Sequence, residues 1–131
     1  MSKSIFVSVV HEDSHRIDSL KKWAEQNRLG DVVITHESED KRHIGKAAVK
    51  QHIDAKIKGA AIILAFIGDD THNHEWIEAE IELANSYHKE IICVRIPQTT
   101  GAVPPMLNKY KLVNFDPDSL KRVIEKTKYI K

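Results

Sequence analysis

Residues 60–67 read AAIILAFI, a stretch without a polar side chain. The stretch is short for a helix, whereas a strand covered by helices on both faces of a parallel sheet has this uninterrupted apolar character. A strand with one face in water would instead alternate apolar and polar residues. The stretch therefore predicts a central strand of a parallel α/β sheet.

The other apolar runs extend this prediction along the chain. Strands are expected at residues 5–10, 32–35, 60–67, 91–96 and 111–115. Between them, apolar residues recur with helical spacing around Leu20, Ile53, Ile81 and Val123. Strands that alternate with helices indicate right-handed βαβ units. The simplest arrangement is a flavodoxin-like α/β fold with a five-stranded parallel sheet in the order 2-1-3-4-5.

Polar residues mark the expected starts of two helices. Asp13 or Ser14 is placed to cap the first helix, and Asp116 followed by Pro117 is placed to begin the last one. The side-chain oxygen of such a residue accepts a hydrogen bond from a backbone amide that has no partner within the helix.

The composition fits one domain over residues 1–131 and excludes several classes of function. Hydrophobic residues make up 41% of the chain, enough for one core. Lys and Arg number 20 against 19 Asp and Glu, so a net charge of +1 gives no field for a nucleic acid or an anionic membrane. Cys93 is the only cysteine, and no signal peptide or membrane span is visible, which predicts a cytoplasmic protein with a buried, inert thiol.

The fold restricts where a ligand site is expected. In an open parallel sheet, ligands bind at the carboxyl ends of the strands, where the strand order reverses between the first and third strands. The first loop there contains Ser8, His11 and Asp13, and the loop after the third strand spans residues 68–74. Residues 38–45, after the second strand, are expected to form a third wall.

Several known kinds of site can be compared with these loops. A flavin-binding flavodoxin would need a glycine in the first loop to bring backbone amides to a phosphate, and VVHEDSH has none. A phospho-receiver domain would hold a divalent cation with acids such as Asp13 and Asp69, but no lysine ends the fifth strand. Histidine pairs such as His72 and His74 have no further ligand at zinc-binding spacing, so no metal site is predicted.

Glu80 interrupts the apolar stripe of its helix. Its neighbours one turn away on either side are Trp76, Ile77, Leu83 and Ala84, all of them apolar. Glu78 and Glu82 have polar surroundings and are expected to be solvated. Burial disfavours a charged carboxylate, and carboxylates in such surroundings are common at functional sites. Glu80 is therefore either a functional carboxylate or one that reaches water from the edge of the stripe.

Three segments carry a family resemblance: IFVSVVHED from Ile5, AAIILAFIGDDTHNHEWIEAEIELA from Ala60 and IICVRIP from Ile91. Their most specific part is the pattern IG-x-x-T-x-x-x-x-W-x-x-x-E, formed by Ile67, Gly68, Thr71, Trp76 and Glu80. A weaker Phe-x-Ser motif is formed by Phe6 and Ser8. Over about residues 5–107, the sequence resembles the TIR-like proteins of the Thoeris antiphage system.

The resemblance implies a TIR-like, flavodoxin-like fold and an enzyme that consumes NAD. In TIR enzymes of this kind, a glutamate four residues after a tryptophan on this helix is catalytic, which implies this role for Glu80. Ser8, His11, Thr71 and Trp76 are the expected substrate-binding residues. NAD is then the substrate rather than a bound cofactor. Its nicotinamide–ribose bond is cleaved, and the ADP-ribose is hydrolysed or cyclised.

The same resemblance implies partners. A nucleotide messenger would act on a separate effector protein in antiphage defence, and neighbouring copies of the chain would complete or stabilise the active site. TIR domains also act as non-catalytic protein-interaction modules, which is the main alternative. The loop after the second strand carries three cations: Lys41, Arg42 and Lys46. They either bind a pyrophosphate or are ordinary charged residues in contact with water.

Overall fold

The computed structural model describes residues 3–9, 13, 15–36, 53–69, 71 and 75–126. The strands are β1 (Lys3–Ser8), β2 (Val32–His36), β3 (Ile62–Ile67), β4 (Glu90–Arg95) and β5 (Leu112–Asn114). The helices are α1 (Arg16–Glu25), α2 (described over residues 53–58), α3 (Glu75–Ser86) and α4 (Pro117–Lys126). All strand pairs are parallel in the order β2-β1-β3-β4-β5, which confirms the predicted fold. None of the described helices has the length and apolar character needed to cross a membrane.

β3 is the central strand, as its apolar sequence predicts. It pairs with β1 on one side and with β4 on the other, so that Ala65 lies between Ser8 and Cys93. None of the side chains of β3 exposes more than 1% of its surface. A polar side chain at these positions would be buried between sheet and helix and would need an internal hydrogen-bond partner.

The two faces of the sheet have separate cores. The core under α1 and α4 contains, among others, Ile5, Val7, Leu20, Phe66 and Ile124. The core under α2 and α3 contains, among others, Phe6, Ile57, Ile63, Ile81 and Cys93. Successive side chains of a strand point to opposite faces, so each strand contributes alternately to the two cores.

The strand boundaries differ from the predicted ones by a few residues. β1 already begins at Lys3, whose N–H donates to the carbonyl of Asp31, and it ends at Ser8 instead of continuing to residue 10. β3 begins at Ile62 rather than Ala60, because the N–H of Ala60 donates to the carbonyl of Ile57 and closes the turn after α2. The apolar pattern reports burial, and Ala60 is buried without belonging to the strand.

The start of α4 agrees with the prediction. One carboxylate oxygen of Asp116 accepts the N–H of Ser119 at 2.7 Å, and the other accepts the Ser119 hydroxyl at 2.9 Å. Pro117 is the first residue of the helix, where its missing N–H costs nothing. The bond from the Ser119 amide is the main reason that the pKa of Asp116 lies below its usual value.

The N-cap position of α1 differs from the predicted one at Asp13, and Ser14, the other predicted cap, lies outside the described residues. The N-cap residue is His15, and it makes no capping hydrogen bond through its side chain. Asp13 lies two residues earlier, and its carboxyl group packs against Gly68 in the loop after β3. The carboxyl group that the local pattern assigned to the helix thus lies against the loop after β3.

Candidate active site

Ser8 ends β1 at the carboxyl edge of the sheet. Phe6, two residues earlier, packs into the core under α2 and α3, and the alternation of strand side chains puts Ser8 on that same face. Its partner in β3 is Ala65, which presents only a methyl group beside it. Ser8 is 1% exposed, so its hydroxyl requires a hydrogen-bond partner inside the protein.

Glu80 lies in the middle of α3 among apolar side chains. The buried residues around it on the helix are Ile77, Ala79, Ile81 and Ala84, none of them more than 1% exposed. Glu80 itself is 3% exposed, which agrees with the apolar neighbours that its sequence position predicts. Within the described part of the chain, it is the one charged residue among the buried side chains.

The two neighbouring glutamates behave differently from each other. Glu78 is exposed, as predicted. Glu82 is half-buried, so the prediction of an ordinary solvated position is wrong for this residue. The buried part of α3 forms a wide arc that includes Ile81, and a side chain next to that arc is partly covered. Glu78 is therefore the matched control for substitutions of Glu80.

The Ser8 hydroxyl donates a hydrogen bond to Oε1 of Glu80 at 2.7 Å. This length is within the range of hydrogen bonds between a hydroxyl and an ionised carboxylate. Bonds to a charged group contribute about 1.5–3 kcal/mol. The bond also restricts a flexible glutamate side chain to one direction. It joins a strand to a helix across 72 sequence positions, so only the fold brings the two residues together.

A buried and oriented carboxylate is suited to one kind of chemistry. Negative charge stabilises positive charge more strongly in a dry site than in water, and it costs no reorganisation if the carboxylate is already held in place. Cleavage of a glycosidic bond develops such positive charge at the anomeric carbon of the sugar. Glu80, held by the Ser8 hydroxyl, is a carboxylate of this buried and oriented kind.

Thr71 shapes the loop that follows β3. Its side chain is 1% exposed, and its Oγ1 accepts the N–H of Gly68 at 2.9 Å. The same hydroxyl lies 3.4 Å from the carbonyl oxygen of Phe66, to which it donates. The hydroxyl therefore serves the backbone of its own loop, while direct binding of a substrate by Thr71 stays a prediction.

Gly68 allows two loops to approach each other at the point where the strand order reverses. A Cβ atom at this position would collide with the carboxyl group of Asp13, so the observed close contact uses the missing side chain of Gly68. Asp13 follows β1 and Gly68 follows β3, which are neighbours in the sheet. The contact therefore places an acidic side chain beside the expected ligand crevice.

The segment after β4 adds a wall that the sequence reasoning missed. The guanidinium Nη2 of Arg95 donates to the carbonyl of Gly101 at 3.0 Å, and the N–H of Thr100 donates to Oδ1 of Asp69 at 2.8 Å. A Cβ atom at Gly101 would meet the carbonyl oxygens of Gly68 and Asp69. Arg95 was the available signal, because it is the one cation in IICVRI and stands at the carboxyl end of a strand.

Other predicted site residues cannot be compared with this geometry. Those outside the described residues are His11, Lys41, Arg42 and Lys46. Trp76 is described as a backbone position of α3, without its side chain. Of the predicted residues, the structure brings together Ser8 and Glu80. The substrate-binding roles of His11 and Trp76 stay predictions.

Three of the histidines considered for metal binding fall in the same gaps, whereas His15 is described. His11, His72 and His74 lie outside the described residues. In the ranges that the structure does describe, no group of three or more His, Cys, Asp or Glu side chains is arranged to hold a metal ion. The predicted absence of a metal site therefore stays a prediction.

Comparison with known proteins gives a family match. The sequence pattern described as Thoeris protein ThsB, TIR-like domain, matches residues 6–101. The matched range contains the second half of β1, all of β2 to β4 and the whole of α3, and so includes both Ser8 and Glu80. No curated protein matches the sequence.

Proposed function

The chain belongs to the Thoeris ThsB TIR-like domain family, which has a role in antiphage defence, and from this premise we propose that it cleaves NAD between nicotinamide and ribose. The observation that carries the proposal is the buried carboxylate of Glu80, held by the Ser8 hydroxyl at the carboxyl edge of the sheet. A buried charge opposes folding unless it is compensated, so a chain that keeps one at a ligand-binding edge has a functional reason to do so.

The reaction needs one negative charge rather than an acid and a base. Nicotinamide departs from a cationic precursor as a neutral molecule, taking the electron pair of the C1′–N bond with it. Positive charge develops at C1′ of the ribose, and the Glu80 carboxylate stabilises that centre. Water then forms the new bond to C1′ and loses a proton, giving ADP-ribose. Attack by a nucleophilic atom of the same nucleotide gives a cyclic product instead.

We assign Ser8 a positioning role in this reaction. Its hydroxyl donates to Glu80 and so holds the carboxylate in one orientation. A fixed carboxylate loses no free energy to reorientation when the charge on C1′ develops. The role differs from the substrate-binding one expected from the family resemblance.

The messenger and its target complete the proposal. A diffusible ADP-ribose product acts on a separate effector protein, which links this site to antiphage defence. Neighbouring copies of the chain complete or stabilise the active site, so activity depends on self-association. NAD is consumed as the substrate, and no other cofactor takes part.

Incubation of the purified protein with NAD, followed by mass spectrometry of the small molecules, tests the proposal. Nicotinamide and a linear or cyclic ADP-ribose should appear in equal amounts, and turnover per molecule should rise with protein concentration. A turnover rate that is independent of dilution would contradict the role of self-association. The proposal would be contradicted if no nicotinamide formed at any protein concentration and none appeared above background in infected cells that express the protein. The protein would then be a non-catalytic interaction module.

A further inference from the structure

A groove between β5 and α4 lies at an edge of the sheet, separate from Ser8 and Glu80. β5 pairs with β4 alone and is an edge strand of the described sheet. The groove has a volume of about 330 Å³, and Val113 and Val123 are the apolar residues that line it on the face of α4. Edge strands present backbone N–H and C=O groups that a further strand can pair with.

The charged residues that line this groove are all cations. They are Lys111, Arg122 and Lys126. The whole chain carries a formal charge of only +1, so this is a local concentration of positive charge. Asp116 interacts with Arg122 from the start of α4, but both of its carboxylate oxygens accept hydrogen bonds from Ser119. The groove thus attracts anionic groups.

The spacing of these cations fits an extended chain. Arg122 and Lys126 are one helical turn apart on α4, which corresponds to about 6 Å along the helix axis. Side chains on one face of a strand repeat about every 6.6 Å. In a strand added beside β5, two side chains that are two residues apart would therefore lie at the spacing of Arg122 and Lys126.

The opposite face of an added strand has different surroundings. Val113 packs into the core under α1 and α4, so the neighbouring Leu112 points to the other face of the sheet. Leu112 is 37% exposed, one of two large apolar side chains so exposed in the described part of the chain. An apolar side chain on that face of the added strand would cover it.

We propose that the groove between β5 and α4 binds an extended acidic segment of a partner protein, which joins the sheet beside β5. The segment alternates acidic and apolar residues. Its carboxylates meet Arg122 and Lys126, and its apolar side chains cover Leu112. This is the strand-addition mode of peptide recognition, in which the backbone gives affinity and alternate side chains give specificity. The interaction is independent of NAD cleavage.

Fluorescence anisotropy with a labelled peptide tests the proposal. The probe is a capped peptide of alternating Glu and Val, about eight residues long. It should bind the wild-type chain saturably. In the double variant Arg122→Glu/Lys126→Glu, the dissociation constant should increase about tenfold or more, as expected when at least one charge contact is lost. The control Lys21→Glu/Lys22→Glu changes the net charge equally on exposed positions of α1 and should leave binding unchanged.

A charge-reversed probe separates loss of binding from loss of fold. A peptide of alternating Lys and Val should bind Arg122→Glu/Lys126→Glu better than it binds the wild type. A peptide with proline at its central apolar positions should bind at least tenfold more weakly, because proline lacks the N–H that pairs with β5. Equal binding of that peptide, or no effect of the charge reversal, would overturn the proposal.

Other occupants give distinct results. Displacement of the peptide by inorganic pyrophosphate at a concentration equal to that of the probe would assign the groove to small anions. Sedimentation that shows dimers of the wild-type chain alone, dispersed by Arg122→Glu/Lys126→Glu, would assign it to a second copy. Either result would overturn the proposed acidic segment.

Discussion

Two side-chain hydrogen bonds connect the region of α3 to neighbouring elements, and they differ in burial. The hydroxyl of Ser8 donates to Glu80 at 2.7 Å, and both side chains are at most 3% exposed. The hydroxyl of Tyr87, just after the end of α3, donates to Oδ1 of Asp54 in α2 at 2.5 Å, and both side chains are half-buried. The shorter bond is thus the one that water can reach.

Burial, rather than length, distinguishes the bond that we propose to act in catalysis from the bond between Tyr87 and Asp54. Water can replace either partner of the Tyr87–Asp54 bond, so its net contribution to folding is small. Glu80 has no such access to water, and the loss of hydration must be offset by Ser8 and other protein groups. The buried bond holds the carboxylate of the proposed reaction, whereas the half-buried bond joins α2 to the residue just after α3.

The largest expected effect is on the rate at which a thiol reagent modifies Cys93, which lies in the buried core beside the Ser8–Glu80 bond. Cys93 pairs with Ala65, which itself pairs with Ser8, and burial raises the pKa of the Cys93 thiol to about 11. Near pH 8 this pKa lowers the thiolate fraction about 100-fold relative to an exposed cysteine, and the packing adds steric protection. A thiol reagent should therefore react at least about 100-fold faster with urea-unfolded protein. Equal rates would show that water enters this core.

The next effect is that of Ser8→Ala on turnover. Without the donor, the Glu80 carboxylate samples several directions, so kcat for NAD should fall about tenfold, the effect of roughly 1.4 kcal/mol, with KM unchanged. Steady-state kinetics checks this, and Tyr87→Phe is the matched loss of a hydroxyl donor on the same side of the sheet. An increased KM at constant kcat would make Ser8 a substrate-binding residue.

A smaller effect on stability is expected when the half-buried bond between Tyr87 and Asp54 is removed. Tyr87→Phe leaves the ring in place and deletes only the hydroxyl that donates to Asp54. The free energy of unfolding in urea should fall, but by less than in Ser8→Ala, because water replaces the lost partner. A larger loss for Tyr87→Phe than for Ser8→Ala would reverse the ranking of the two bonds.

The smallest expected effect is a pH dependence of the stability that the Tyr87–Asp54 bond contributes. The hydrogen bond to Asp54 is the main cause that raises the pKa of Tyr87 above 10.0. The neutral phenol is thus favoured by folding, so its contribution is complete below pH 10 and is lost as the pH rises through the raised pKa. The difference in unfolding free energy between wild type and Tyr87→Phe should shrink in that window. A difference that grows with pH would contradict this assignment.

The sequence predicts burial better than it predicts partners. The positions of the strands and the apolar neighbours of Glu80 follow from local apolar patterns, which depend on residues within one turn or one strand. The strand order follows from the alternation of strands and helices along the chain. The hydroxyl that holds Glu80 comes from β1, and no local pattern links the two residues. Asp13 shows the same restriction, because no local pattern places its carboxyl group against Gly68.

The periodicity of apolar residues also does not predict partial burial or hydrogen bonds between distant segments. Glu82 has polar neighbours on its helix and is nonetheless half-buried, because the width of the buried arc of α3 depends on what packs against it. Arg95 stands out in an apolar run, but its bond to the carbonyl of Gly101 depends on how the segment after β4 folds back. Such contacts require the three-dimensional arrangement of the strands.

The release of nicotinamide from NAD by Glu80→Gln, compared with Glu78→Gln, tests the central claim most directly. Glutamine keeps the shape of the buried side chain and removes its charge, so the fold should hold, as circular dichroism would show. In a preparation that is active as wild type, Glu80→Gln should reduce nicotinamide release about 100-fold to 1000-fold. Glu78→Gln, at an exposed position of the same helix, should leave it unchanged. Near-normal release by a folded Glu80→Gln protein would contradict the assignment of Glu80 as the catalytic carboxylate.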